Sequence, residues 1–559
     1  MNWFLGSYIL QDFQAILSKL VLKPLSPFEI IALIKLVIVS IFIFFTGYLL
    51  TRLLMRKGLK LNFLEMIGTS YFLGFGVIPF ITLLFSVFSI EFQWLFLFVS
   101  ILAVDIVLFS LTFPESISVN ELKTVLKNFG RRILNNKDTV LFFLIVYTFV
   151  FSLVLLPLLR GVYMGIRFDA WRYAIIAENI MQGKSPFSTE QIYFEEYTTI
   201  SQGPPITYTY TLFYILMLVS LTVLSGIGDV KTVSYLFAPA FSISGLPLTT
   251  YILLNQFKNA KSLDRSVIKL GVFAVIFISE EIIFWSLWGK GNVVAISYIL
   301  LSLNFFIRML RRTNMNDLIK QKGVKTPFNA ILAGFFAGVA CLYHITAFLL
   351  VDIIVFFLII EVLFFRKEIK RILIPVGVFL SISILIALIY WIPHLTLNYY
   401  LPQTSSPQDS SYKWTYLFVE ADIIQRVLYP FLFHYVPFIY PDAPIVHRYL
   451  FFGYGTAILF VSAFISVIIN RKWVHNIEHR LLVASFILSY LFPLHPIVTV
   501  TFHFVPNRFV IFLELFSSLL IIYSLSSEHI KRYRILFIIL WCIMLFLTLR
   551  WFSYALFYS

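Results

Sequence analysis

Runs of about twenty apolar residues recur along almost the whole chain, separated by short polar breaks. The stretch IALIKLVIVSIFIFFTGYLL, residues 31–50, is typical. Such a run crosses about 30 Å of hydrocarbon as a helix. Helices and closed barrels are the two ways a spanning backbone satisfies its own hydrogen bonds in lipid, and the alternation of a barrel strand is absent. The chain is 60% hydrophobic and 13% charged, far from the balance of a soluble domain. The expected fold is therefore all-α, a polytopic transmembrane bundle of about 13–15 spans. Two longer external loops, each carrying short juxtamembrane helices, interrupt it.

The formal net charge of +15 does not indicate nucleic-acid binding, because the basic residues sit mainly in short loops between apolar runs. There they set topology and meet anionic headgroups. Arg52, Arg56, Lys57 and Lys60 form one such loop, and Lys123, Lys127, Arg131, Arg132 and Lys137 another. Arg366, Lys367, Lys370 and Arg371, then Arg471, Lys472 and Arg480, then Lys531, Arg532 and Arg534 follow. The positive-inside rule makes these loops cytoplasmic and puts 161–205 and 393–448 outside. The basic stretch Lys258–Lys269 breaks the count, since two apolar segments separate it from an external loop. Either 206–230 is re-entrant or interfacial, or Lys258–Lys269 is itself external.

The expected organisation is an N-terminal amphipathic helix with three extra spans over 1–138, a main membrane module over 139–530, and a last span in 531–559. Residues 5–23 read as interfacial, and no removable signal peptide is evident. Cys341 and Cys542 lie in apolar runs and suggest neither a disulfide nor a metal framework.

Polar chemistry gathers in the external loops, where function commonly resides. In RFDAWRYAIIAENIMQGKSPF, residues 167–187, Tyr173, Ile176, Ala177 and Ile180 share one helix face, suited to lying along the membrane surface. Gly183 stops that helix and Pro186 prevents its resumption. YFEEYTT (193–199) adds Glu195 and Glu196, and QGPPITYTY (202–210) leads back to the membrane through a stiff Pro–Pro entry.

This loop resembles that of the GT-C superfamily of membrane glycosyltransferases, which includes aminoarabinose, mannosyl and oligosaccharyl transferases. The resemblance rests on Asp169 after a span, Tyr173 and Ala177 on an aromatic-bearing helix, Gly183 at its end, and Pro204–Pro205 with Tyr208. It implies an inverting glycosyltransferase of the cytoplasmic membrane. The enzyme would move a sugar from a polyprenyl-phosphate donor to a lipid, glycan or protein acceptor on the external face. Asp169 stands without the second acidic neighbour many relatives carry. WGKGN (288–292) has Lys290 and Asn292 where some oligosaccharyl transferases have a metal-binding Asp. Metal dependence is therefore not carried over from the family; a divalent cation stays open as a cofactor, with no metal ligand assigned.

The residues fit that chemistry on their own terms. A carboxylate can deprotonate the acceptor hydroxyl, and Asp169 is the candidate, with helix N-capping as its alternative role. The leaving phosphate wants positive charge. Arg508, in HFVPNRFVIFLE beside His503, is the candidate clamp because its planar fork suits phosphate; an interfacial anchor is the alternative. Arg167 and Arg172 are further phosphate candidates that can instead snorkel to headgroups. Glu195, Glu196, Tyr173, Tyr208, Glu281, Lys290 and His503 are candidates for the cleft and acceptor. Asp105, His344, Asp352 and Glu514 read first as helix–helix hydrogen bonds. Two other readings stand: a non-catalytic GT-C-like scaffold subunit, and a lipid or solute transporter or flippase.

Overall fold

The computed structural model describes residues 25–88, 90–113, 137–159, 169–184, 186, 211–258, 265–277, 282, 291–312, 328–365, 369–396, 452–470, 476–492 and 507–525, with isolated positions beyond. At 153–159, 169–172, 258, 312, 369–371, 390–391, 393–396, 452–455 and 507–509 only the backbone is described. The described elements are all helical, and no strand occurs among them. Among the described residues six helices are long and apolar enough to cross a membrane, and four shorter apolar ones accompany them.

Helix α1 (Pro27–Arg56) is opened by a capping box. Ser26 Oγ accepts from the Glu29 amide at 3.2 Å and the Glu29 carboxylate accepts from the Ser26 amide at 2.7 Å. These bonds satisfy donors that every helix start leaves orphaned. Helix α2 (Phe63–Val87) returns antiparallel to α1, and the Asn62–Glu65 pair caps it in the same way. The two backbones nearly touch: a Cβ on Gly47 would fall 1.8 Å from the Ser70 carbonyl oxygen. Lipid supplies no hydrophobic drive between helices, so close packing through small residues does that work. Helix α3 (Trp94–Thr112) descends beside α1, where Arg56 Nη1 donates to the Leu111 carbonyl at 2.9 Å. The turn carrying Arg56, Lys57 and Lys60 defines the basic end of the bundle.

Helix α4 (Lys137–Leu159) rises from that end, since Lys269 Nζ donates to the Asp138 carbonyl at 3.2 Å. Helix α5 (Asp169–Met181) lies at the opposite, far end. Helix α6 (Leu212–Ser225) begins there, with Thr211 and Tyr214 against Gly291. It also finishes there, with its Leu224 carbonyl accepting from the Trp94 indole at 3.1 Å. Its fourteen residues are all buried and rise only about 21 Å. Helix α7 (Val230–Ser244) starts at the far end too, because Tyr235 Oη donates to Glu29 Oε1 at 3.1 Å. Helix α8 (Leu246–Lys258) continues it past Gly245 and ends at the basic end, where Gln256 Nε2 donates to Glu65 Oε1 at 2.6 Å. Both ends of α6 thus lie toward the far end, and Lys258 stands with the other basic turns. Of the two resolutions of the parity problem, the geometry favours the re-entrant one.

Helix α9 (Arg265–Phe277) rises, and α10 (Gly291–Arg312) descends, buried from Gly291 to Leu310. The apolar run 329–364 breaks at His344, as its length requires. Helix α11 (Phe328–Tyr343), a turn at Ile345–Ala347 and α12 (Phe348–Phe364) share it. Helix α13 (Ile369–Thr396) runs parallel to α11, with Ser383 Oγ donating to the Gly334 carbonyl at 3.2 Å. Helices α14 (Phe452–Ile469) and α16 (Asn507–Ser524) descend side by side, with α15 (Ile477–Leu491) rising between them in sequence. Thr456 Oγ1 donates to Glu514 at 2.8 Å, and Ser466 meets Ser524 at 3.0 Å.

At the basic end three carboxylate–guanidinium pairs tie the helices together. Glu65 of α2 meets Arg308 of α10 at 2.8 Å. Glu478 of α15 holds Arg311 of α10, which also donates to the Gln256 carbonyl of α8. Glu361 of α12 receives Arg480 of α15 at 2.9 Å, and the Arg480 plane lies 4.0 Å from the Phe365 ring centroid. Opposite charges are matched throughout, which makes burial of each pair tolerable. Away from these seams, α1, α3, α4, α12, α13 and α14 carry exposed large apolar side chains, Val37, Leu144 and Ile374 among them. An apolar outer surface of this extent is what a membrane covers.

Candidate functional site

Helix α5 folds as its sequence requires. Tyr173, Ile176, Ala177 and Ile180 are all buried, as a stripe at that spacing should be. Protein covers the stripe: α5 packs on α6 and α7, and Tyr173 meets the Tyr214 ring edge-on with centroids 5.4 Å apart. The apolar face that periodicity suits to a membrane surface is thus seated on α6 and α7. At the other end, the Gly183 amide donates to the Ile180 carbonyl at 3.0 Å and the Lys184 amide to Asn179 at 3.1 Å. Gly183 has φ +90°. This paired closure through a left-handed residue favours glycine and uses up carbonyls the helix end leaves free.

The described part of α5 starts at Asp169, and that of α16 starts at Asn507, next to Arg508. Helix α16 ends at the basic end, where Asn476 Nδ2 donates to Tyr523 Oη at 2.7 Å. The structure therefore brings the Asp169 and Arg508 helix starts to the same, far end of the bundle. For Asp169, Arg172 and Arg508 only the backbone is described; Arg167, Glu195, Glu196, Tyr208, Glu281, Lys290 and His503 lie outside the described residues. The loop 393–448 lies outside them from residue 397 onward, as do 1–24. Tyr173 is the one cleft candidate with a described side chain, and it is 4% exposed. Its ring is a packing element facing α6 rather than an open contact for substrate.

Of the polar residues within spans, Asp105 and Glu514 bond between helices. Thr46 Oγ1 donates to Asp105 at 3.2 Å across α1 and α3, and Thr456 binds Glu514 across α14 and α16. His344 Nδ1 lies 2.7 Å from Thr346 Oγ1, closing the turn between α11 and α12. Among the described residues no three His, Cys, Asp or Glu side chains converge as a metal set. Of the six charges in the basic-end pairs, only Arg480 entered the sequence reading, and only as part of a basic loop. The available signal was Arg308 and Arg311, one turn apart at the end of an apolar helix, where buried partners are the alternative to snorkelling. No protein-family model, curated protein or solved structure matches the chain.

Proposed function

We propose that the protein is a GT-C-like membrane glycosyltransferase, with about 13–15 spans in the cytoplasmic membrane and its reaction centre on the external face. It takes a sugar from a polyprenyl-phosphate donor, with inversion, and passes it to an acceptor hydroxyl. The observation that supports this most is the seating of α5. A helix with Asp169 at its start and Gly183 at its stop is held by its apolar face on the buried helix α6, at the end where α16 begins beside Arg508. A site built on packed elements is held more firmly than one on a free loop.

In this reading Asp169 removes the acceptor proton as the hydroxyl oxygen attacks the anomeric carbon. The bond to the phosphate oxygen breaks with its electron pair, and Arg508 stabilises the charge left there. Asp169→Asn should lower transfer from a radiolabelled polyprenyl-phosphate sugar by about 10²–10⁴-fold while leaving the thermal unfolding midpoint unchanged. Near-normal transfer would remove Asp169 from the mechanism. Arg508→Ala should weaken donor binding more than acceptor binding, and equal loss of both would make it a structural residue. The transporter reading draws on the broken passages at Gly245 and His344, since interrupted helices can build transport sites. Donor-independent flux in proteoliposomes, unchanged in Asp169→Asn, is the outcome that would favour it.

A further inference from the structure

The turn between α2 and α3 stands beside the C-terminal end of α5, and together they enclose a cleft of about 360 Å³. That volume falls at the lower end of the range for small-molecule sites. Ser86, Glu91 and Phe92 line one side, and Met181, Gln182 and Gly183 the other. The lining offers a carboxylate that only accepts, an amide that donates and accepts, and a hydroxyl that does both. None of its described side chains is cationic. The Glu91 carboxylate is steadied by Gln93 Nε2, which donates to it at 2.8 Å.

Acceptors beside an aromatic ring and a thioether suit a ligand with a hydroxyl-bearing edge and a C–H face. The Glu91 charge opposes an anion. Glu178, one turn before Gln182 on the same face of α5, is also exposed. From Met181 to Asp169 the helix α5 rises about 18 Å.

The geometry points to an acceptor subsite for a neutral, extended oligosaccharide between the α2–α3 turn and the end of α5. It rests on the glycosyltransferase reading, because the distance to Asp169 gives the subsite its purpose. A ligand that fills the cleft and still reaches Asp169 must be several sugar units long. The N-terminal helices, which precede the GT-C-like part of the chain, then supply one wall of the acceptor site.

The test uses the full-length protein in lipid nanodiscs, without donor, against a printed array of neutral linear oligosaccharides. Binding to a subset is expected. Glu91→Ala, Gln182→Ala and Phe92→Leu should each bind roughly tenfold more weakly, the worth of one or two good contacts. Gly377→Ala, a helical position with open space around it, should bind like the parent. Glu91 and Gln182 are exposed, so unchanged thermal unfolding of their variants separates lost contacts from misfolding. An array that captures nothing, captures only anionic glycans, or binds the cleft variants as well as the parent overturns the subsite. Because no donor is present, such a result leaves the Asp169 experiment to decide the transferase reading independently.

Discussion

Glu361 is completely buried, and Arg480 nearly so, so each charge depends on the other for its solvation. Removing one leaves an uncompensated ion in a low-dielectric interior, which costs about 3–5 kcal/mol. Glu361→Ala is therefore expected to lower stability by that amount in thermal or denaturant unfolding in detergent. The double change Glu361→Met with Arg480→Met should recover most of the loss, since an apolar pair of similar volume needs no charge matching. If the double variant is as unstable as the single one, the pair is not acting as an isolated ion pair. Neither residue was legible as a partner of the other in sequence, because 119 positions separate them. Arg480 read as one more basic residue near a turn, a local signal that cannot report a distant carboxylate.

Helix α6 has the length and apolarity of a short span, and its sequence alone leaves open whether it crosses. Both of its ends lie beside elements of the far end, and this geometry makes an accessibility prediction. In a variant without Cys341 and Cys542, Gly228→Cys should react with an impermeant thiol reagent from the same side as Gln93→Cys. Arg265→Cys and Lys57→Cys should react only from the other side. Opposite labelling of Gly228→Cys and Gln93→Cys would make α6 a true crossing. Helix α5 shows how far local signals reach. Its stripe and its stop at Gly183 were both legible, since side-chain spacing and a left-handed backbone are properties of a few adjacent residues. The surface under the stripe was not, because an apolar face looks the same whether lipid or another helix covers it. The break at His344 was legible for a third reason: the 329–364 run is longer than one crossing.

The N-terminal helices read in sequence as an addition preceding the main membrane module, yet α2 lies within the bundle. The Tyr298 hydroxyl of α10 donates to its Phe72 carbonyl at 3.0 Å, and the Tyr343 hydroxyl of α11 to its Phe75 carbonyl at 2.6 Å. Thr82 meets Ser220 of α6 at 2.6 Å, and Glu65 pairs with Arg308. A chain starting after residue 130 would leave these tyrosines, Ser220 and Arg308 without their partners. It is expected to aggregate or elute as a broad peak in size-exclusion chromatography in detergent, and co-expressed 1–130 should restore a sharp one. A sharp, folded peak from the truncated chain alone would show that the first helices are separable. Read as a string of residues, the protein is already a helical membrane protein with one strongly basic side. Both conclusions follow from the transfer energies of contiguous segments and from charge counted in short loops. Contacts between distant segments decided the rest: which apolar helices are exposed and which are enclosed, what α5 and α6 pack against, and which arginine meets which glutamate. Those outcomes depend on packing between residues far apart in the chain, and no local pattern encodes them.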